Sequence, residues 1–143
     1  MIKSKKKASP ALLNICCHAL EEKKAGDLRV LDVSQQSSIT DYLVLATATS
    51  EPHLRAMRIE LEKAIDATNT RIVGIEAVPG SGWIVVDLFS VMVHLFLPDH
   101  RSHYGLERLW KDATEIPLAN ALATAAKPRT AKKRTKQTRK KRK

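Results

Sequence analysis

The spacing of apolar residues near the start of the chain predicts an amphipathic helix. Its buried stripe, at intervals of three or four residues, comprises Leu12, Leu13, Cys16, Cys17 and Leu20. Ser9 suits the N-cap of this helix, and Pro10 suits its first turn. Lys23 and Lys24 suit its C-terminus, and Gly26, which tolerates the left-handed backbone found at helix C-termini, can end it.

A second amphipathic helix is predicted over residues 52–67. Ser50 can cap it, because a serine hydroxyl accepts a hydrogen bond from an unpaired amide of the first turn. The apolar positions that follow have the period of a helix and comprise Leu54, Met57, Leu61 and Ile65. The charged residues between them are expected to face solvent.

Short aliphatic runs predict five strands, at 28–33, 41–47, 71–76, 83–88 and 91–97. The second run is almost wholly apolar, as expected for a strand that is covered on both faces. Together with the helix between them, the second and third runs form a strand–helix–strand unit, which usually makes a right-handed crossover between parallel strands. The last two runs lie too close together for a crossover and should pair as an antiparallel hairpin.

A final helix is predicted over 101–113, and beyond Pro117 the composition changes to Ala, Thr and Pro and then to Lys and Arg. Such a segment offers little with which to build a core, so we expect it to be disordered in isolation. The predicted organisation is a basic arm at 1–8, an α/β domain at 9–116 and a disordered Lys/Arg-rich tail at 117–143.

The charge is concentrated at the two ends of the chain. Residues 127–143 contain eleven Lys or Arg and no Asp or Glu, whereas residues 8–126 have a net charge of −5. The sequence pI of about 9.9 therefore describes basic ends on a mildly acidic domain. This separation predicts that tail and domain bind different partners, and that the tail binds RNA phosphates. Nucleic-acid binding is predicted at Lys132, Lys133, Arg134, Lys136, Arg139, Lys140, Lys141, Arg142 and Lys143.

The apolar runs and the two cysteines indicate the cellular location of the protein. No apolar run reaches the roughly 18 residues of a membrane span, and the basic N-terminus lacks the apolar stretch of a signal peptide. The two cysteines are adjacent, a spacing that rarely permits a disulfide and that does not match a C-x-x-C metal motif. We expect a cytoplasmic protein whose cysteines are small apolar helix residues.

Two ionisable residues stand out within the predicted hairpin. Strand alternation places Asp87 on one face with Trp83 and Val85, and His94 can lie on that same face. If it does, an acid–histidine hydrogen bond is possible. Catalysis would also need a nucleophile, and no G-x-S-x-G motif is present, so a structural or partner-facing pair is the stronger interpretation. Trp83, beside the Gly-rich segment 74–82, is either core or interface from sequence alone.

A small metal cluster is a further candidate. Asp99, His100 and His103 lie close together in sequence, but Arg101 stands among them and no fourth ligand is evident. Surface histidines at a helix start explain the pattern more simply. We predict no metal site.

Three segments together resemble the ribosomal silencing factor family, also called the RsfS or Iojap family. They are SSITDYLVLATATS, GWIVVDLFSVMVHLF and RSHYGLERLW, and the similarity runs from about Leu12 to Ala113. The chain has Ala48, Ala77 and the pair Phe89-Ser90 at places where the family usually has glycine, which concerns loop geometry and not the fold. The basic tail lies outside the resemblance.

The resemblance implies a mixed, mostly five-stranded sheet flanked by helices, in a fold related to nucleotidyltransferases. Those enzymes hold magnesium and nucleotide with a Gly-Ser loop and paired carboxylates, and here no second acidic residue stands two positions after Asp87. The resemblance therefore implies a protein that is not an enzyme and needs no cofactor. A residual nucleotidyltransferase-like enzyme or nucleotide-binding domain is the alternative.

The resemblance also implies a partner and a mechanism. Family members bind the large ribosomal subunit through ribosomal protein L-fourteen, block joining of the small subunit and so repress translation. We expect a monomer on the ribosome, with a homodimer of the free protein left open. The predicted partner-binding residues are Glu76, Trp83, Asp87, His94, Arg101 and Tyr104.

Overall fold

The most apolar segments of the chain occupy the middle of a mixed sheet in the computed structural model, which describes residues 10–77 and 80–123. The strands are β1 (Gly26–Asp32), β2 (Tyr42–Thr47), β3 (Gly74–Glu76), β4 (Trp83–Asp87), β5 (Val91–Phe96) and β6 (Thr114–Ile116). Their order across the sheet is β3-β4-β5-β2-β1-β6. Strands β2 and β5 are parallel, and every other neighbouring pair is antiparallel. The predicted α/β class is confirmed, with one strand more than expected.

The helices form a layer on each side of the sheet. They are α1 (Pro10–Glu22), α2 (Glu51–Asp66), α3 (Pro98–Tyr104), α4 (Leu106–Leu109) and α5 (Leu118–Ala123). Helices α1, α2 and α5, which we call the helix layer, pack on one face of the sheet. They enclose the larger core. The segment with α3 and α4 covers part of the other face, over a smaller core around Leu43, Leu45 and Phe96.

Strand β2 lies between these two cores, as its composition predicted. Val44 and Ala46 belong to the larger core, while Leu43 and Leu45 belong to the smaller one. All four side chains are buried because alternate residues of a strand point to opposite faces, and both faces are covered here. The apolar run is therefore a consequence of the strand's central position.

The second helix matches its prediction closely. The side chain of Ser50 accepts a hydrogen bond from the His53 amide and caps α2. The buried residues of α2 are the predicted stripe of Leu54, Met57, Leu61 and Ile65. Local signals were sufficient here because both the cap and the stripe are defined within one helix.

The first helix ends earlier than predicted. Lys24, with φ of 58°, adopts the left-handed conformation after α1, and Gly26 instead begins β1. The turn after the helix is therefore made by Lys24, one of the two lysines placed at its C-terminus, and not by Gly26. The proposed cap at Ser9 lies outside the described residues. Cys16 and Cys17 are buried in α1, as expected, and burial raises the pKa of both thiols, which keeps them protonated.

The crossover through α2 connects strands that run in the same direction but are not neighbours. Strands β5 and β4 lie between β2 and β3. The predicted strand 71–76 is also shorter in the structure, where only Gly74–Glu76 pairs with β4. The hairpin of β4 and β5 is confirmed.

The end of the described chain differs most from the prediction. Gly105, with φ of 60°, divides the predicted single helix over 101–113 into α3 and α4. The segment predicted to be disordered from residue 117 contains α5, so the predicted boundary was wrong over Leu118–Ala123. The buried amide of Asn14 donates hydrogen bonds to the carbonyl oxygens of Ala121 and Leu122 and fixes α5 on α1.

None of the helices in the described ranges combines the length and the apolar composition that a bilayer crossing requires.

Candidate partner-binding surface

Within residues 10–77 and 80–123, part of one sheet face has no helix packed over it. The α3–α4 segment lies over β1, β2 and the end of β5, and the smaller core that it closes includes Leu31, Val33, Leu43, Leu45 and Phe96. The uncovered remainder on β3, β4 and β5 consists of Gly74, Glu76, Trp83, Val85, Asp87, Met92 and His94, which we call the open sheet face. These residues line a shallow cavity of about 460 Å³.

Strand register explains why these residues share one side. Val85 pairs with both Glu76 and His94, so the three side chains form a row across three strands. Asp87 pairs with Met92 in the next row. The register thus places Asp87 and His94 on one face, which the sequence had left open. Val85 and Met92 were not chosen as site residues, although the same alternation placed Val85 beside Trp83 and Asp87.

An aromatic cluster forms the border between the open sheet face and the covered half. The ring of Trp83 lies 4.3 Å from that of Tyr104 and 5.4 Å from that of Phe96, measured between centroids. Phe96 is buried, whereas Tyr104 is 44% exposed. Trp83, half-buried between them, packs against the smaller core and also lines the open sheet face, and its role at an interface stays a prediction.

His94 bonds to Trp83 and not to Asp87. The indole Nε1 of Trp83 donates a hydrogen bond to His94 Nδ1 over 3.1 Å. Asp87 Oδ1 instead accepts from the backbone amide of Phe89 over 2.9 Å, within the hairpin turn. The possible acid–histidine hydrogen bond is therefore not formed.

His94 is neutral in the folded protein at physiological pH. Its residue surface is only 7% exposed, and burial lowers the pKa of His94 to about 4. A charged imidazolium would also direct an N–H toward the indole N–H, which can only donate. This imidazole is therefore a polar but uncharged element of the face.

Two carboxylates flank the apolar centre of the open sheet face. Glu76, which is exposed, lies beside Val85 in one row, and Asp87, which is half-buried, lies beside Met92 in the next row. An apolar patch with an anionic rim is typical of a protein-binding surface that receives a cationic partner.

Arg101 lies apart from the open sheet face. It is 7% exposed, and its guanidinium donates to Glu107, to Thr47 Oγ1 and to the carbonyl oxygen of Asp27. None of these partners lines the open sheet face. The structure thus places Arg101 in an internal network, although it was predicted together with the residues of the face.

This network fixes the segment that borders the open sheet face. Glu107 bridges Arg101 and Arg29 at 2.8 and 3.0 Å, and Arg29 also pairs with Glu115 on β6. Burial alone would raise the pKa of Glu107, but the hydrogen bonds and charges of the two arginines outweigh it and hold that pKa below its usual range. Because Tyr104 is three residues after Arg101 in α3, the network positions Tyr104 against Trp83.

The remaining candidates are separate from this surface. Asp99, His100 and His103 line a shallow depression with Tyr104, but across 10–77 and 80–123 no three His, Cys, Asp or Glu side chains are grouped to hold a metal ion. The nine cationic residues assigned to nucleic-acid binding, from Lys132 to Lys143, lie outside the described residues.

One exposed aromatic residue was missed by the sequence reasoning. Phe89, 74% exposed, occupies the hairpin turn with φ of 74°, a conformation that bulky residues rarely adopt. The absence of glycine at Phe89-Ser90 was the available signal, since the turn demands a positive φ there.

Comparisons with known proteins agree on one family. A family model described as "ribosomal silencing factor during starvation" matches residues 6–143. The ribosomal silencing factor RsfS of Bacillus subtilis is 34% identical over 110 residues, which cover 77% of this chain and 91% of that protein. A mouse protein named "mitochondrial assembly of ribosomal large subunit protein 1" is 35% identical over 94 residues, covering 64% of this chain and 41% of the mouse protein. A crystal structure from Chromobacterium violaceum superposes with a TM-score of 0.68 at 30% identity, covering 71% of this chain and 84% of that one.

Proposed function

Because this chain belongs to the ribosomal silencing factor family, we propose that it binds the large ribosomal subunit through ribosomal protein L-fourteen. Bound there, it blocks joining of the small subunit by steric occlusion and represses translation in the cytoplasm. It acts as a monomer on the ribosome.

The open sheet face is the observation that carries this proposal. It combines a half-buried Trp83, an apolar centre at Val85 and Met92 and an anionic rim. Aromatic anchors surrounded by polar residues are enriched at protein interfaces. The net charge of −5 over residues 8–126 suits a basic ribosomal protein, because opposite charges speed encounter and fix orientation.

The choice of the large subunit has support of a different kind. The mouse relative is named for assembly of the ribosomal large subunit. We extend that association to this chain and assign the contact to Glu76, Trp83, Asp87, His94 and Tyr104. Arg101 acts indirectly, by holding α3 and Tyr104 in place.

A pair of charge substitutions tests the assignment. Val85→Lys puts a cation at the centre of the open sheet face, where it meets both the apolar patch and a basic partner. Ile59→Lys is the matched control, since Ile59 is 57% exposed on α2 in the helix layer, on the opposite side of the sheet. We expect Val85→Lys to reduce co-sedimentation with purified large subunits by at least about 10-fold, the loss of a typical interface contact.

The control defines what would refute the assignment. Ile59→Lys should co-sediment like the unaltered chain, and circular dichroism should show that both variants are folded. Equal binding by the two variants would mean that the partner meets another surface. Binding to the small subunit in place of the large one would refute the function itself.

The proposed action is occupancy and not catalysis. Calorimetry with nucleotide and magnesium is expected to give no binding signal. A magnesium-dependent signal would favour the nucleotide-binding alternative.

The basic tail is proposed to add a second contact. Residues 127–143 contain eleven cationic side chains and no aromatic residue that could stack on bases. Neutralisation of RNA phosphates is therefore the main contribution to the free energy with which the tail binds RNA. The tail then acts as a tether to ribosomal RNA, raising the local concentration of the domain near its partner.

A further inference from the structure

A hydrogen bond on the open sheet face determines which nitrogen of His94 carries the proton. The indole nitrogen of Trp83 can only donate, and it lies 3.1 Å from His94 Nδ1. Nδ1 must therefore be the unprotonated acceptor. A neutral imidazole carries one proton, so that proton resides on Nε2.

The Nε2–H group has no acceptor within the described chain. Among residues 10–77 and 80–123, the side chain of His94 makes its one hydrogen bond through Nδ1, and the only buried side-chain N or O atom without a partner is His100 Nδ1. His94 Nε2 is therefore not sealed inside the protein and retains contact with solvent. Because His94 lines the cavity of the open sheet face and is 93% buried by residue surface, its free donor is held rigidly there.

We propose that His94 is a specificity-determining residue of the open sheet face, whose Nε2–H, fixed by the Trp83 hydrogen bond, donates to a neutral carbonyl oxygen of the partner. This inference rests on the proposed function for the identity of the partner, but the proton position does not. A partner that covers this donor without supplying an acceptor would lose roughly 10-fold or more in affinity.

The surrounding charges select the kind of acceptor. Glu76 lies in the same row as His94, with Val85 between them, and Asp87 lies on β4 in the next row. A partner carboxylate would meet two like charges, while a main-chain or amide carbonyl would not. Lysine or arginine of the partner can then pair with the two carboxylates. The face thus fits a cationic protein segment that presents a carbonyl oxygen between its charged residues.

Nuclear magnetic resonance tests the proton position directly. Long-range correlations between ring protons and ¹⁵N should show His94 as the Nε2–H tautomer in the full chain near pH 7. Trp83→Phe retains an aromatic ring but removes the indole N–H, so the tautomer preference should weaken. A ring of His94 protonated at Nδ1 in the unaltered chain would overturn the proposal, whatever the ribosome-binding result.

Two amide substitutions test the role of the donor. His94→Gln places an amide N–H near the position of Nε2, while His94→Asn can still accept from Trp83 but is too short to reach the partner. With purified large subunits as the probe, we expect His94→Asn to lose about 10-fold in affinity and His94→Gln to recover most of that loss. Equal losses in the two variants, with equal melting temperatures, would indicate lost packing and overturn the donor role.

The two proposals can fail separately. If the unaltered chain does not bind large subunits, the proposed function fails while the tautomer result still decides the proton position. If it binds and both amide variants bind equally well, His94 has no part in specificity.

Discussion

The burial of His94 makes the stability of the domain depend on pH in a specific window. Its pKa is about 4 in the folded protein and 6.5 as the reference value. In this window the unfolded chain binds more protons than the folded one, so stability is complete above pH 6.5 and is lost as the pH falls toward 4. A shift of this size corresponds to about 3 kcal/mol in all, of which about 2 kcal/mol is lost by pH 5.

The perturbation is His94→Gln, which removes the titrating group. Urea unfolding at 25 °C, followed by far-ultraviolet circular dichroism between pH 5 and 7.5, gives the free energy of unfolding of each chain. We expect the unaltered chain to lose about 2 kcal/mol more than the variant over this range. The pKa values of Glu107 and Glu115 are lowered by their arginine partners, so these two residues also stabilise the folded state less as the pH falls. This loss is the same in both chains and does not contribute to the difference between them.

One result of this pH comparison between the unaltered chain and His94→Gln would contradict the prediction. Curves that remain parallel from pH 7.5 to pH 5 would mean that His94 is equally easy to protonate in the folded and unfolded states. The assignment of His94 as a buried and neutral residue of the open sheet face would then be wrong.

Other predictions concern the network, the Gly-rich loop and the tail. Arg101→Leu should cost about 1–3 kcal/mol of unfolding free energy, because it removes the hydrogen bonds that the buried guanidinium donates to the half-buried Glu107 and Thr47. Gly82→Ala should cost about 1–3 kcal/mol, since its Cβ would lie 2.5 Å from the His100 ring at a φ of 73°. Gly80→Ala, with φ of 81° and open space, should cost less and serves as the control. A chain ending at Ala126 should bind large subunits more weakly and with a shallower salt dependence than the full chain.

Each of these has an outcome that contradicts it. Arg101→Leu with unchanged stability would show that the network contributes nothing. Equal costs for the two glycine substitutions would remove steric contact with His100 as the cause. Equal affinities and equal salt slopes with and without the tail would leave the tail without a role as a tether.

The elements predictable from sequence are those whose signals are local. The stripe and the serine cap of α2 lie within one helix, and the burial of β2 follows from its composition. Strand β6 and helix α5 were missed because each is short and is held by distant residues, β6 by β1 and α5 by Asn14. A pattern within a few residues carries no information about such pairing.

The candidate site shows the same division. Alternation placed Trp83 and Asp87 on one face, but the partner of His94 depends on register, which pairs His94 with Val85 and sets Trp83 within reach of Nδ1. Arg101 was predicted as a partner-binding residue within RSHYGLERLW, one of the segments that carry the family resemblance. Its carboxylate and hydroxyl partners, including Thr47 on β2, become visible only once the strands are assembled.

The anchoring of α5 has a practical consequence for experiments on the isolated protein. Asn14 and His18 hold the carbonyl oxygens at the end of α5 against α1, in the helix layer, and the open sheet face lies on the other side of the sheet. A fluorophore or a biosensor linkage attached at the end of α5 therefore lies on the opposite side of the sheet from that face. Immobilisation at this point should orient the molecules with the open sheet face toward the analyte, whereas a label on the β4–β5 turn would stand at its edge.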